Sequence, residues 1–437
     1  MKRDIYKKLS EWKASKRRKP LLLQGARQTG KTYIIKKFGG NEYEKIFYCN
    51  FEEDPHLNDF FKRDLKPKRI LTDISTYYGD TIRANSDLLV FDEIQLSNNA
   101  LTSLKYFQEE KNDIHVIGAG SLLGVKLSEP GSFPVGKVNL LKLFPMTFPE
   151  FLNAIGKIGY RYMLENIKKP TPLPDAIHND LIALLKKYYF AGGMPEAVKC
   201  FVETGNSKKT RQIQEEIIKS YVMDFAKHAP VPDIPKLTAL WNSIPKHLAR
   251  ENKKFVFSAV KKGARARGYE NGLMWLKAAG LIYKVKSVET AKHPLAHYSD
   301  ASCFKIYALD VGLLGAMAQA PAELQTHGQS LFEEYKGAFV ENYAAQQFAA
   351  HFERPLYYWR SKGGKAEIDF LSEFKGEVFP IEVKSGVNAK SKSLRSYDLQ
   401  FSPNTLIRTT LLNFKQDGKI LNLPLYALSL SHKFIGE

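Results

Sequence analysis

Leu21-Leu22-Leu23-Gln24 opens a series of short apolar runs that recur near Lys45 to Phe51, Asp87 to Phe91, Ile114 to Gly118 and Val138 to Phe144. Runs of this length, continuous rather than alternating, predict strands buried on both faces of a parallel sheet. Helix-like sequence from Tyr33 to Phe38 follows the first run and stops at Gly39-Gly40. An amphipathic segment at the N-terminus feeds the basic run Lys16-Arg17-Arg18-Lys19. Strands alternating with helices predict an α/β domain over about residues 1–200.

The pattern changes after Gly192-Gly193-Met194-Pro195. Helical periodicity continues to Met223, and Pro230, Pro232 and Pro235 read as a linker. Leu237 to Leu248 is amphipathic, Ser258 is placed to cap a short second helix, and Tyr269, Leu273 and Leu276 share one face of a third. Gly280 is a natural C-cap, and Leu281 to Val285 turns strand-like. Three helices followed by a strand hairpin is the order of a winged helix, expected over 201–325. From 326 to 437 a helix over Leu331 to Phe348 precedes strands at Leu356 to Arg360, Ala366 to Phe374 and Glu377 to Ser385. This predicts a third, α/β domain. Lys375-Gly376 is the two-residue turn of a hairpin between the last two strands.

At 437 residues the chain exceeds what one core supports, and 44% hydrophobic with 25% charged residues is the balance of a globular protein. Met1-Lys2-Arg3-Asp4 leads into polar sequence, so no secretory signal is expected. No apolar run reaches the ~18 residues of a membrane span. Cys49, Cys200 and Cys303 are far apart and fit reduced thiols, which places the protein in the cytoplasm. Lys and Arg number 65 against 46 acids, a net charge of +19. That suits a polyanionic partner such as nucleic acid, or serves solubility alone. Between Lys253 and Lys286 lie nine Lys or Arg and one acid, Glu270. Lys261, Lys262, Arg265 and Arg267 cluster just before the third helix, where phosphate contacts would position it on DNA. The alternative is a winged helix that connects proteins, its lysines facing water.

The first strand runs into Gly25-Ala26-Arg27-Gln28-Thr29-Gly30-Lys31-Thr32, which satisfies G-x-x-x-x-G-K-[ST]. Glycines let backbone N–H groups wrap phosphates, and the helix N-terminus behind them favours negative charge. Lys31 would reach the β and γ phosphates of ATP, and the Thr32 hydroxyl would bind Mg²⁺. The third run ends in Asp92-Glu93. Asp92 is placed to hold Mg²⁺ and Glu93 to polarise the attacking water. The strand between the two motifs matches the P-loop subclass to which AAA-type ATPases belong. Ser121, after the fourth strand, is either a γ-phosphate sensor or a helix N-cap ahead of Leu122-Leu123.

The P-loop, Phe91-Asp92-Glu93-Ile94-Gln95, Leu143-Phe144-Pro145-Met146-Thr147-Phe148-Pro149-Glu150-Phe151 and Gly192-Gly193-Met194-Pro195-Glu196-Ala197 together resemble the prokaryotic AAA-family ATPases that carry a C-terminal domain of unknown function. The resemblance covers nearly the whole chain. Similar proteins often have Gly-Arg ahead of the fifth strand, where this chain has Gly136-Lys137. An arginine finger there, and with it the oligomeric state, is left open.

If Phe374 pairs with Glu377, Asp369 lies opposite Glu382 and Glu367 opposite Lys384, with Ile368, Phe370, Ile381 and Val383 facing the core. Two carboxylates facing across a hairpin call for neutralisation, and oxygen ligands suit Mg²⁺ or Mn²⁺. Asp369, Glu382 and Lys384 fit a D…ExK pattern, with Glu341 as a further ligand, and the stretch resembles restriction-endonuclease-like PD-(D/E)xK nucleases. That resemblance implies a metal-activated water with Lys384 assisting it, and Lys390, Lys392 and Arg395 on the phosphate backbone. Pro380 inside the strand threatens this register. The alternative is the same fold without cleavage, Glu367 and Lys384 forming an ordinary ion pair.

The sequence thus reads as a Mg²⁺-dependent ATPase whose nucleotide state controls DNA binding and metal-dependent DNA cleavage. Its rival is a nucleotide-dependent switch or scaffold for a protein or RNA partner, with an inactive nuclease-like domain.

Overall fold

The computed structural model describes residues 1–126, 134, 136–250, 253–320, 330–386 and 391–434. Lys390 lies outside the described residues. Two compact units form: Met1–Phe144 with Ala278–Gly280, and Pro145–Lys277 with Leu281–Glu437. Hydrogen-bonded strands join residues on either side of position 325.

In the first unit, β1 (Leu21–Gln24), β2 (Lys45–Asn50), β3 (Asp87–Asp92), β4 (His115–Gly120) and β5 (Asn139–Lys142) make a parallel sheet in the order β2-β3-β4-β1-β5. Successive side chains of a strand point to opposite faces, and each face here has its own core. Leu22, Phe47, Leu89 and Phe91 belong to one, Leu21, Leu23, Leu88 and Val90 to the other. That explains why β1 and β3 are continuously apolar. Spatially, β4 separates β1 from β3, as the AAA-type subclass requires. The loops leaving β1, β3 and β4 all start at the carboxyl edge of the sheet, where parallel α/β sheets bind ligands.

The second unit holds an eight-stranded mixed sheet of β6 (Ile282–Val288), β7 (Ser299–Ala308), β8 (Tyr357–Arg360), β9 (Glu367–Phe374), β10 (Glu377–Val383), β11 (Leu406–Thr410), β12 (Lys415–Asp417) and β13 (Ile420–Pro424), ordered β12-β13-β11-β10-β9-β8-β6-β7. The expected winged helix is corrected here. Its first and third helices form, at Ile234–Leu248 and Ala266–Ala278, but the second shrinks to a 3₁₀ turn at Phe257–Ala259. The expected hairpin forms, β6 pairing antiparallel with β7, and β6 also pairs parallel with β8 within the C-terminal sheet. Ile282, Tyr283, Val285, Ser287 and Val288 are buried, and Lys284 and Lys286 between them are half-buried.

The β9–β10 hairpin has the expected register, from Phe374↔Glu377 to Phe370↔Ile381. Lys375 and Gly376 both take positive φ, +49° and +83°, as a twist-matched two-residue turn demands. Pro380 does not break it, because β11 begins to pair with β10 at Ile381, one residue past the missing donor.

Gly192-Gly193 has a packing reason. A Cβ on Gly192 would lie 2.1 Å from Asp310 Oδ1, and one on Gly193 would lie 2.1 Å from the Met146 carbonyl. Gly193 N–H donates to the buried Asp310 carboxylate at 2.6 Å. Among the described residues no helix is long and apolar enough to cross a membrane.

Candidate functional site

The P-loop is held open by backbone geometry rather than by bulk. Gln28 and Gly30 take positive φ, +65° and +92°, so the chain curls before the helix Lys31–Glu42 begins. Gly25 admits no side chain, since a Cβ would meet the Leu143 carbonyl at 2.5 Å. Thr29 ties the loop to itself, its hydroxyl donating to Ala26 O at 2.8 Å. From outside, buried Arg3 donates to the Thr29 carbonyl at 2.9 Å and the Phe144 carbonyl at 2.6 Å. Arg27 is half-buried on the same loop. Lys31 Nζ donates to the carbonyls of Gly25 and Ala26 at 2.9 and 3.0 Å, folded over the loop from which it would reach a phosphate.

Thr32 Oγ1 stands 3.1 Å from Asp92 Oδ2 and donates to it. Tyr48, on β2, donates its phenol to the same oxygen. Burial, reinforced by Asp92, raises the Tyr48 hydroxyl well above its ordinary range, so it stays a neutral donor. These are hard oxygen donors with neutral partners, a set that fits Mg²⁺. Glu93 follows in a left-handed conformation, φ +50°, unusual for a residue with a Cβ. Its N–H donates to Asp92 Oδ1 at 3.0 Å. Its carboxylate receives Gln95 Nε2, and the Ser121 hydroxyl and N–H at 3.4 and 3.5 Å. Ser121 thus faces Glu93 from the end of β4. The structure gathers Gly25 to Thr32, Asp92, Glu93 and Ser121 at one edge of the sheet.

Sequence reasoning missed Tyr48, Arg3 and the work of Gln95. Gln95 lies so close over β4 that a Cβ on Gly120 would come within 1.9 Å of its Oε1. Lys137, in place of the arginine seen in similar proteins, is ion-paired with Glu109 at 2.9 Å.

The C-terminal carboxylates expected to hold a metal, Glu341, Asp369 and Glu382, have lysines as neighbours. Lys305, from the middle of β7 and 1% exposed, reaches Glu367 at 2.6 Å, Glu341 at 3.8 Å and Asp369 at 3.9 Å. Lys253 forms a second ion pair with Glu341, and Tyr307 donates to Glu341 at 3.0 Å. Asp369 accepts the Val383 N–H at 2.8 Å. Glu382, buried, pairs with Lys384 at 3.0 Å. Glu367 therefore pairs with Lys305, where Lys384 was expected. Among the described residues no three His, Cys, Asp or Glu side chains are grouped to hold a metal ion. Ammonium groups stand against Glu341 and Glu367, while one buried oxygen of Glu382 has no hydrogen-bond partner among the described residues. Burial, then the Glu341 charge, pushes the Asp369 carboxyl up to about 7, against the pull of Lys305. Burial works against charge at Glu341 too, yet Lys253 and Lys305 hold it below its ordinary range.

Residues 17–152 match the model of the AAA domain. Residues 182–324 and 336–428 match two domains of unknown function, DUF8612 and DUF4143. No curated protein matches the chain. Among solved structures, the chain is similar to a Walker-type ATPase of Pyrococcus abyssi at 16% identity and TM-score 0.43, over 72% of this chain and 94% of that one. It is also similar to the ORC1 protein of Aeropyrum pernix in complex with DNA, at 13% identity and TM-score 0.30, over 72% and 91% of the two chains. The RuvB Holliday junction branch migration motor of Thermotoga maritima follows, at 17% identity and TM-score 0.30, over 64% and 88%. The family match and the geometry of the site carry the assignment: residues 17–152 form an AAA-type P-loop ATPase domain, and the chain is an ATPase.

Proposed function

We propose that the chain hydrolyses ATP at the Gly25–Thr32, Asp92 and Glu93 site, and that the nucleotide state governs its hold on DNA. The observation that carries the first part is that Thr32, Asp92 and Glu93 share one hydrogen-bonded set beside the P-loop over which Lys31 folds. In this reading Lys31 exchanges its bonds to the Gly25 and Ala26 carbonyls for bonds to the β and γ phosphates. The P-loop N–H groups and the helix N-terminus cradle the same charge. Thr32 and Asp92 would hold Mg²⁺, which when bound neutralises charge building on the phosphates. Glu93 orients and polarises the attacking water, with Gln95 and Ser121 setting the direction of its carboxylate.

DNA is the favoured partner because Lys261, Lys262, Arg265 and Arg267 are all exposed around the start of the helix Ala266–Ala278. A cluster of that kind gains affinity by displacing counterions from phosphates. The test is binding to duplex DNA as salt is raised, with ATP or ADP present, for the wild type and a variant with all four residues changed to Glu. A steep loss of affinity with salt, flattened in the variant, supports the reading. No binding at low salt points to a protein partner instead. ATPase activity that persists at the wild-type rate in Lys31→Ala defeats the nucleotide assignment.

A further inference from the structure

We propose that Lys305 is the built-in cation of the C-terminal sheet, standing where a nuclease-like fold would take up a divalent metal and closing that place to one. The inference rests on the C-terminal cluster alone and stands or falls independently of the nucleotide site.

β7 carries Cys303-Phe304-Lys305-Ile306-Tyr307, five buried residues with a single charge among them. A buried ammonium persists when carboxylates surround it and compensate its lost hydration. Lys305 meets that condition three times over, at Glu367, Glu341 and Asp369, and its Nζ lies 5.0 Å from the centre of the Tyr358 ring. Burial alone would lower it, yet the three carboxylates hold it above its ordinary value, so it keeps its proton. It is a fixed positive charge, not a base or a nucleophile.

Geometry and charge then exclude a second cation. Mg²⁺ needs oxygens at about 2.1 Å in a nearly octahedral shell. Here the three carboxylates are spread around an ammonium, and Glu341 is also engaged by Lys253 and Tyr307. Lys305 faces Glu367, Glu341 and Asp369, and Lys253 also faces Glu341. A divalent ion added to this group would meet two ammonium charges at close range. Of the D…ExK carboxylates, Asp369 accepts the Val383 N–H and faces Lys305 at 3.9 Å, and Glu382 pairs with Lys384 through one oxygen while the other is buried without a hydrogen-bond partner among the described residues. The C-terminal domain follows as a nuclease-like scaffold that holds its shape without metal and does not cleave DNA through one.

The full chain, free of nucleotide and carrying Asp92→Asn to silence the first site, is titrated with Mn²⁺ and followed by the paramagnetic signal of the free ion. The expected result is no saturable binding below the millimolar range. A stoichiometric Mn²⁺ site that survives Asp92→Asn and disappears on adding Asp369→Asn would overturn the proposal. The same titration on Lys305→Ala in the Asp92→Asn background should show a gained Mn²⁺ site, or a melting temperature that rises with Mn²⁺. A folded Lys305→Ala that gains neither also overturns it. Where Lys305→Ala does not fold, the neutralised variant Lys305→Met/Glu367→Gln/Asp369→Asn decides. It should recover most of a loss of about 10 °C in Tm seen with Lys305→Met alone. Losses that simply add across the three changes contradict the assignment.

Discussion

The two carboxylate sites of this chain are made of the same parts and differ in what faces the acids. At the nucleotide site Asp92 sits at a strand end, opposed by the hydroxyls of Thr32 and Tyr48. Lys31 there is turned to backbone carbonyls. In the C-terminal sheet Glu341, Glu367 and Asp369 face the ammonium of Lys305, with Lys253 behind. A neutral hydroxyl can share an oxygen with an arriving cation at little cost, whereas a buried ammonium must first be expelled from its partners. The difference teaches that spacing along the chain identifies candidate ligands, and that the partners already in place decide whether a site is open.

The largest effect expected is on the closed site. Lys305→Met leaves buried carboxylates without compensation and should cost about 3–5 kcal/mol, read as a drop in stability by denaturant unfolding. A loss below about 1 kcal/mol would break the contrast by showing the lysine to be incidental. Next comes the open site. Glu93→Gln keeps the shape but removes the charge that polarises water, and should lower kcat by about 10²–10³ with ATP binding retained. Smaller again is the effect of the support. Gln95→Ala, or Gly120→Ala acting through the 1.9 Å approach to Gln95, should lower kcat about tenfold with KM for ATP nearly unchanged. A rise in KM with kcat unchanged would assign Gln95 to binding instead.

A pH effect shared by both units serves as a control. His115 and His247 are buried and both lowered to about 4, by burial first, then by Arg18 and Lys13 for His115 and by Arg250 for His247. Each favours the folded state fully above the ordinary histidine value of about 6.5. As pH falls from there toward 4 the unfolded chain takes up the proton first, and stability is lost. Melting curves between pH 7 and 4 should show that slope in the wild type, shallower in His115→Gln and in His247→Gln. A slope unchanged by both substitutions would assign it to the carboxylates.

How much of this was legible follows from how local each feature is. The P-loop, Asp92 and Glu93 could be read from spacing because strand, loop and helix are contiguous, and the chemistry lies within a few residues. Register of the β9–β10 hairpin was legible for the same reason, through the Lys375-Gly376 turn. What faces those strands was not. Lys305 and Lys253 come from segments far upstream, brought in because β6 and β7 join the C-terminal sheet. One signal was present, a single lysine inside the apolar stretch Cys303 to Tyr307, since an isolated charge in a buried strand implies an opposite charge across from it. Tyr48 had no such mark, because a tyrosine on a strand is ordinary until β2 is seen beside β3.

The contrast is tested most directly by counting Mn²⁺ on the wild-type chain with and without a non-hydrolysable ATP analogue. The account predicts a single tightly held ion per chain with the analogue, lost in Asp92→Asn, and none without it. A second ion, or one that remains when Asp92 is changed and the analogue withdrawn, would show the C-terminal carboxylates to be open and contradict the account.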